Sequence, residues 1–388
     1  MARSHSLPFV AGALGFLIAG CGAPGEGGGA VDLCTVVLAP SETVLEPEVG
    51  GAYDEPGPQV ARDARGNYYG GALAGGRLLK WDASGRFVAS TGRVGGGPGE
   101  FAPGPLIVFV SPDDSLFVRD NSSRFLVFDT ALTYHRAFPT GPVLALSAGE
   151  LHFLPDGRIA STFQRPSATS FDLMFLDRDG NVTDTLLPRE PGPGTSRAPA
   201  NRSSAFVPPS TLWLAPPPGV GGYEVDIVDL DGSPVGRLAP EAPWFDVTTR
   251  RTMPNEHGGR RAFPYPTVGL VVADREGLVW IWSYVPKVPD AAARYFAADL
   301  GELLTVSREV LASRVDVYEA ATLRPVAVGT VPHSAVEAIT PLFNSREVLR
   351  VRTDSLGVRS SSIARLALRS GDGGVCALDA RRAGESGR

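Results

Sequence analysis

Lysine is almost missing from this chain. Only Lys80 and Lys287 occur among 388 residues, so nearly every positive charge is an arginine. The net charge is −6 and no stretch forms a basic stripe, which argues against nucleic acid as the main partner. Histidine is scarce too: His5, His135, His152, His257 and His333 stand far apart, with no metal-ligand spacing among them. The chain lacks a G-x-S-x-G elbow, an S-x-x-K pair and an H-E-x-x-H helix motif. No catalytic residue, metal ligand or cofactor is assigned on these grounds, and a non-enzyme is the favoured reading.

Glycine and proline are abundant instead. Gly (46) and Pro (34) make up about a fifth of the chain, against an average of about an eighth. That composition demands many turns and favours an all-β chain over a helical one. Hydrophobic residues at 43% and charged residues at 20% supply a packed core and exclude global disorder.

The first segment reads as an address. Arg3 and the start amine give a short positive region, followed by an apolar run from Leu7 to Ile18 broken by Pro8, Gly12 and Gly15. The run is shorter than the roughly 20 residues that span a bilayer, so it reads as a signal-peptide core. It ends in Leu17-Ile18-Ala19-Gly20-Cys21. This resembles the bacterial lipoprotein lipobox, an aliphatic residue and small residues before a Cys. The resemblance implies a diacylglycerol thioether on Cys21 and cleavage before it; an ordinary signal peptide with an accidental Cys is the alternative. Acyl chains hold by about 0.8 kcal/mol per buried CH₂. Gly22 to Ala30 (GAPGEGGGA) then reads as a flexible tether. Gly22 stands where Asp would signal inner-membrane retention, which favours the outer membrane, at its periplasmic face or on the cell surface. The expected organisation is residues 1–20 as a removed signal peptide, 21–31 as tether, 32–380 as the folded body and 381–388 as a disordered tail.

With Cys21 set aside, Cys34 and Cys376 remain. Export permits a disulfide, and pairing the two would close a ring-shaped fold; two free buried thiols are the alternative. Thr35-Val36-Val37-Leu38 is expected to pair near Val375-Cys376-Ala377-Leu378.

A turn signature recurs between apolar runs. It is seen at Asp63-Ala64-Arg65-Gly66, Asp82-Ala83-Ser84-Gly85, Pro112-Asp113-Asp114-Ser115 and Pro155-Asp156-Gly157. It returns at Asp177-Arg178-Asp179-Gly180, Asp229-Leu230-Asp231-Gly232 and Asp274-Arg275-Glu276-Gly277. Asp and Gly permit the positive backbone angles of hairpin turns. The turns sort into two kinds. One precedes a run such as Leu116-Phe117-Val118, at 63, 113, 156 and 274, extended by Ser210 and by Asn344-Ser345-Arg346. The other follows an apolar residue plus Asp, as at Trp81-Asp82 and Phe128-Asp129, with Val317-Tyr318-Glu319 as a weaker member. Turns of the first kind recur every 43 to 70 residues, a propeller-like period stretched by insertions. The expected fold is all-β, a six-bladed β-propeller with four-stranded antiparallel blades. Two insertions are expected: a polar one from Phe245 to Pro264, and a short helical one from Pro289 to about Leu311. In the helical insertion Tyr295, Leu300, Leu303 and Leu304 would share a docked face.

Two segments carry a family resemblance. Gly92-Arg93-Val94-Gly95-Gly96-Gly97-Pro98-Gly99-Glu100-Phe101 resembles a hallmark of bacterial NHL-like six-bladed propellers, many of them lipoproteins. Val118 to Asp129 looks like an NHL repeat, a strand, a polar loop with Asp120, Asn121 and Arg124, then a strand ending Phe-Asp. The resemblance covers roughly residues 55–185 and leaves activity open. Physically, the glycines let the chain cross from blade to blade close to other backbone, with Glu100 and Phe101 as anchors. No helix start or Lys follows, so the stretch is a poor phosphate cradle.

Asp120, Asn121 and Arg124 are the candidate ligand-face residues, although such a loop serves equally well to tie neighbouring blades. The favoured function is a lipid-anchored envelope binding or scaffold module, with a protein, peptide or glycan as ligand. The alternatives are a metal-dependent hydrolase or lactonase of the gluconolactonase-like propeller type, and a structural envelope component.

Overall fold

The computed structural model describes residues 33–376, except 48–55, 123, 140–149, 163–169, 190–201, 217–221, 246–251, 255–259, 263–266, 299–302, 335 and 344. Strand β1 (Cys34–Leu45) comes first. A four-stranded antiparallel sheet follows, β2 (Pro56–Arg62), β3 (Tyr68–Ala72), β4 (Leu78–Trp81) and β5 (Phe87–Thr91), paired in that order. The second sheet is β6 (Ile107–Val110), β7 (Leu116–Arg119), β8 (Arg124–Phe128) and β9 (Tyr134–Pro139). The third is β10 (Leu151–Phe153), β11 (Ile159–Ser161), β12 (Ser170–Leu176) and β13 (Val182–Arg189). The fourth is β14 (Ser204–Val207), β15 (Thr211–Leu214), β16 (Val225–Asp229) and β17 (Pro234–Leu238). A small pair, β18 (Thr252–Pro254) and β19 (Arg260–Ala262), lies within the expected polar insertion.

The last sheet departs from expectation. Strands β20 (Thr267–Ala273), β21 (Leu278–Pro286), β22 (Leu311–Glu319) and β23 (Arg324–Pro332) share one eight-stranded sheet with β1, β24 (Glu337–Pro341), β25 (Glu347–Thr353) and β26 (Arg359–Arg369). Its order is β20-β21-β22-β23-β1-β26-β25-β24. The arrangement is propeller-like, with four small sheets and one of eight strands instead of six separate ones. The physical cause is β1, which pairs along β26 from Thr35↔Arg369 to Leu45↔Ser361 and also meets β23 in parallel at Cys34↔Ala327 and Thr35↔Val328. The partner of β1 is therefore β26, whose Arg369 pairs with Thr35 on one side and bridges Val375 on the other, while residues 377 and 378 lie outside the described residues. Cys376 instead folds back to donate its N–H to Leu368 O and is disulfide-bonded to Cys34. Two short helices, Ala291–Ala297 and Leu303–Val310, occupy the expected helical insertion. Ala291, Val310 and Leu311 form their buried contact, with Tyr295, Phe296 and Val306 packed on it. Leu300 lies outside the described residues.

Burial explains the strand sequences. Strand β8 reads Phe125-Leu126-Val127-Phe128 without alternation, and all four are buried because both faces of its sheet are covered. Outer strands such as β17 are mostly exposed. Each contact between neighbouring sheets is a separate hydrophobic cluster. Tyr69 and Leu78 meet Val108 and Leu116 between the first and second sheets. Phe117 and Phe125 meet Ile159 and Met174 between the second and third, and Phe175 meets Leu212 between the third and fourth. Trp213 and Val225 then meet Val271 and Ile281 of the eight-stranded sheet, whose far half returns Leu349 and Ile363 to Tyr68 and Trp81 of the first sheet. Fully burying one such side chain stabilises the fold by about 1.5–3 kcal/mol.

The hairpin turns share one device. At Asp274 the side chain accepts N–H bonds from Glu276 (2.8 Å) and Leu278 (2.9 Å), while Gly277 takes the positive φ of 76° that closes the turn. The crossover from Gly92 to Phe101 is tight for a related reason. A Cβ on Gly92 would lie 2.2 Å from the ring of Phe101, and the φ of Gly92 is 90°. Phe101 is fully buried and stacked on Phe128, and Glu100 accepts from Gly97 N (2.7 Å) and pairs with Arg93.

Candidate functional site

Strands β2, β6, β10, β14, β20 and β24 each end in a turn of the first kind, and these turns surround two adjoining cavities. One, of about 330 Å³, is lined by residues that include Arg62, Asp63, Phe109, Phe153, Asp274, Arg275, Phe343 and Arg346. The other, of about 670 Å³, is lined by Val110, His152, Phe153, Leu154, Arg158, Arg178, Phe206, Pro208 and Arg275 among others. All five large sheets contribute to these walls. The lining is a mixture of guanidinium groups and phenyl rings, the kind that grips an organic ligand by stacking and directed hydrogen bonds.

Most of the ionic groups already hold partners. Asp63 is buried and accepts from Asn67 N, Asn67 Nδ2 and Tyr69 OH, each at 2.8 Å. Burial pushes its carboxyl up, but these bonds outweigh it and leave the group below the usual carboxylate range. Burial and the bond to Asp63 together raise the Tyr69 phenol. Asp274 repeats the pattern with Trp280 Nε1 (3.0 Å) six residues on, and adds the buried Arg346 at 2.8 Å. Arg346 also reaches Glu276 and lies over the Trp280 ring, 5.6 Å from its centroid. Arg62 pairs with Glu347 at 2.9 Å. Arg158 pairs with Asp156 and covers Phe175, and Arg178 pairs with Asp113. Arg275 lines both cavities, is exposed, and has no side-chain partner among the described residues. Among the described residues no three His, Cys, Asp or Glu side chains gather as a metal site would require.

A polar cluster is buried beside the second cavity. Glu150, just before β10, accepts from Ser204 N (2.7 Å) and bonds Ser203 Oγ (3.0 Å). His152 Nε2 bonds Ser204 Oγ at 2.8 Å and lies 3.9 Å from Glu150, while its Nδ1 is buried without a partner. Ser203 Oγ also accepts from Val271 N (2.7 Å), so the cluster ties three inner strands together. Burial outweighs the serine bonds and raises the Glu150 carboxyl to about 8. It lowers the His152 imidazole to about 4. Both groups are neutral at pH 7, which suits a site with no room for an unpaired imidazolium N–H.

The candidates named from sequence lie elsewhere. Asp120 and Asn121 sit between β7 and β8 and Arg124 opens β8, whereas the turn that lines the cavity joins β6 to β7 at the other end of these strands. Asp120 is buried and accepts from Ala102 N (2.9 Å), Ser122 and Arg124. Arg124 reaches Glu100 O (2.9 Å) and Asn121 reaches Pro103 O (3.1 Å). All three thus hold the glycine-rich crossover. Cys21, His5 and His257 lie outside the described residues. The remaining histidines do not meet: His135 faces Asp129, His152 faces Ser204, and His333 bonds Ser313. Sequence reasoning missed Arg62, Arg275, Arg346, Phe153 and Phe206 as wall residues, along with Glu150, Ser203 and Ser204. The available signal was the first kind of turn, whose flanking residues form the walls.

No protein-family model matches the chain, and no curated protein matches it by sequence. Solved structures do resemble it. A Bacteroides vulgatus member of the DUF4221 family superposes with a TM-score of 0.58 at 9% identity, covering 88% of this chain and 100% of that one. A Bacteroides fragilis protein described as exported gives a TM-score of 0.53 at 12% identity, covering 86% and 96%. At these identities the likeness concerns the fold, which is all-β and propeller-like.

Proposed function

We propose that this chain is an exported, lipid-anchored envelope propeller that binds its ligand in the central mouth. The mouth carries the reading: walls drawn from all five large sheets, built of phenyl and guanidinium groups, with the carboxylates already bonded. A count of six blades is supported by treating β20–β23 as one blade and β24, β25, β26 and β1 as another, since only two residue pairs bridge β1 and β23. The lipobox-like Leu17 to Cys21 supports acylation of Cys21, and the exported Bacteroides fragilis neighbour supports export. The outer membrane, the NHL-like character of residues 92–129, and a protein, peptide or glycan ligand belong to the same reading. Asp120, Asn121 and Arg124 are braces of the crossover within it.

A thermal-shift screen of peptides and glycans tests the function. A bound ligand at about 100 times its Kd stabilises by about 2.7 kcal/mol. The expected result is a ligand that raises the Tm of the wild type but not of a Phe153→Ala, Arg275→Ala double variant. Equal stabilisation of both would overturn the mouth as the site. Measurable lactone hydrolysis, with no peptide or glycan raising the Tm, would favour an enzyme.

A further inference from the structure

Charge is unevenly placed on the walls of the mouth. The chain as a whole carries −6. Its larger cavity is nonetheless lined by four guanidinium groups, Arg62, Arg158, Arg178 and Arg275, against two carboxylates, Asp114 and Asp274. Both carboxylates are already held. Asp114 accepts from Ala64 N at 3.2 Å, and Asp274 accepts from its own turn, from Trp280 Nε1 and from the buried Arg346. The arginines are held more loosely. Arg158 and Arg178 pair with Asp156 and Asp113 in half-exposed contacts, which are weak and give way to a better-placed anion. Arg275 is exposed and has no side-chain partner among the described residues. A concave wall of one sign focuses its field on an incoming anion.

The rest of that wall includes Val110, Phe153, Leu154, Phe206 and Pro208. Its uncharged polar side chains among the described residues are Ser111 and His152. Ser111 is already bonded to Asp113 and Ser115, whereas the buried Nδ1 of His152 has no partner. A sugar would turn most of its hydroxyls onto phenyl and aliphatic groups, where burial without a bond is costly. A peptide brings the matching complement. It has an apolar side chain for the phenyl groups, carboxylates for the guanidinium forks, and backbone amides for Nδ1, which in a neutral imidazole either donates or accepts. We infer that the mouth takes an acidic peptide, a loop or terminus of another protein with Asp or Glu beside an apolar residue, its carboxylate on Arg275 and its apolar side chain against Phe153 and Phe206. This rests on the mouth as the binding site, proposed above, and names what fills it.

Selection of short random peptides displayed on phage, with the full chain as bait, tests this. The recovered sequences are expected to be net negative and to carry an apolar residue beside Asp or Glu. One of them, synthesised and titrated by calorimetry, is expected to bind about tenfold more weakly to Arg275→Gln, the loss of one charge-assisted bond, and more weakly to the wild type at high salt. Arg275 is exposed, so this replacement leaves the fold intact. Arg86→Gln removes the same charge from a turn that lines neither cavity and is expected to change nothing. Neutral or basic peptides that still need Phe153 would overturn the acidic ligand and spare the mouth. Acidic peptides bound equally by the wild type and Arg275→Gln would overturn the mouth itself. A wild type that recovers no peptide but binds trigalacturonate, titrated as an acidic sugar, would overturn the peptide; so would one that binds neither.

Discussion

Replacing Glu150 by Gln isolates one buried proton and gives a pH dependence with a definite sign. The folded carboxyl titrates near 8 against an ordinary 4.5, because burial outweighs its serine bonds. The folded state therefore binds this proton more tightly than the unfolded chain does. Its stabilisation is fully present below pH 4.5 and is lost as pH rises toward 8. At about 1.4 kcal/mol per pH unit, the whole window is worth about 5 kcal/mol. His152 works in the opposite direction. Its imidazole falls from 6.5 to about 4 on burial, so its contribution grows as pH rises from 4 to 6.5 and is then complete. Between 4.5 and 6.5 the two slopes largely cancel. Above 6.5 only Glu150 remains, and the wild type should lose about 2 kcal/mol by pH 8. A glutamine reproduces the protonated acid: its carbonyl accepts from Ser204 N, its NH₂ donates to Ser203 Oγ, and nothing titrates. Urea denaturation at pH 6.5 and 8.0 measures the difference. A flat Glu150→Gln variant beside a falling wild type is expected. An equal fall in both would refute the buried neutral acid.

Three further outcomes follow from named contacts. Cys376→Ser, or reduction of the wild type, opens a bond spanning 342 residues; the chain-entropy model gives a loss of up to about 5–6 kcal/mol, read as a drop in Tm. Arg346→Met leaves Asp274 buried without its cation and should cost about 3–5 kcal/mol by denaturant titration, partly recovered by adding Asp274→Asn. Asp120→Asn weakens the hold on Ala102 N and Arg124 and should cost about 1.5–3 kcal/mol, with affinity at the mouth, measured by calorimetry, unchanged.

The fold was readable where local chemistry decides it. The Asp-x-x-Gly turns at 63, 82, 177, 229 and 274 all close hairpins, each with the Gly N–H donating to the Asp carbonyl. The eight-stranded sheet was not readable, since the junction of β1 with β23 is a two-residue contact between segments nearly 300 residues apart. The walls of the mouth were hidden for a similar reason. Arg275 and Asp63 look like ordinary turn residues until closure of the ring sets their turns around one cavity. Glu150 and Ser204 lie 54 residues apart and meet only because their sheets are neighbours. Asp120 and Asn121 have the composition of a ligand loop, but their polar atoms serve the backbone of the crossover.

The most direct measurement is a crystal structure of the protein with the first ligand that raises its Tm. The account places that ligand in the mouth, with a polar group in hydrogen-bond reach of Arg275 and its apolar part against Phe153. A ligand seated instead on the Asp120–Asn121–Arg124 end, with the mouth unchanged, would contradict it.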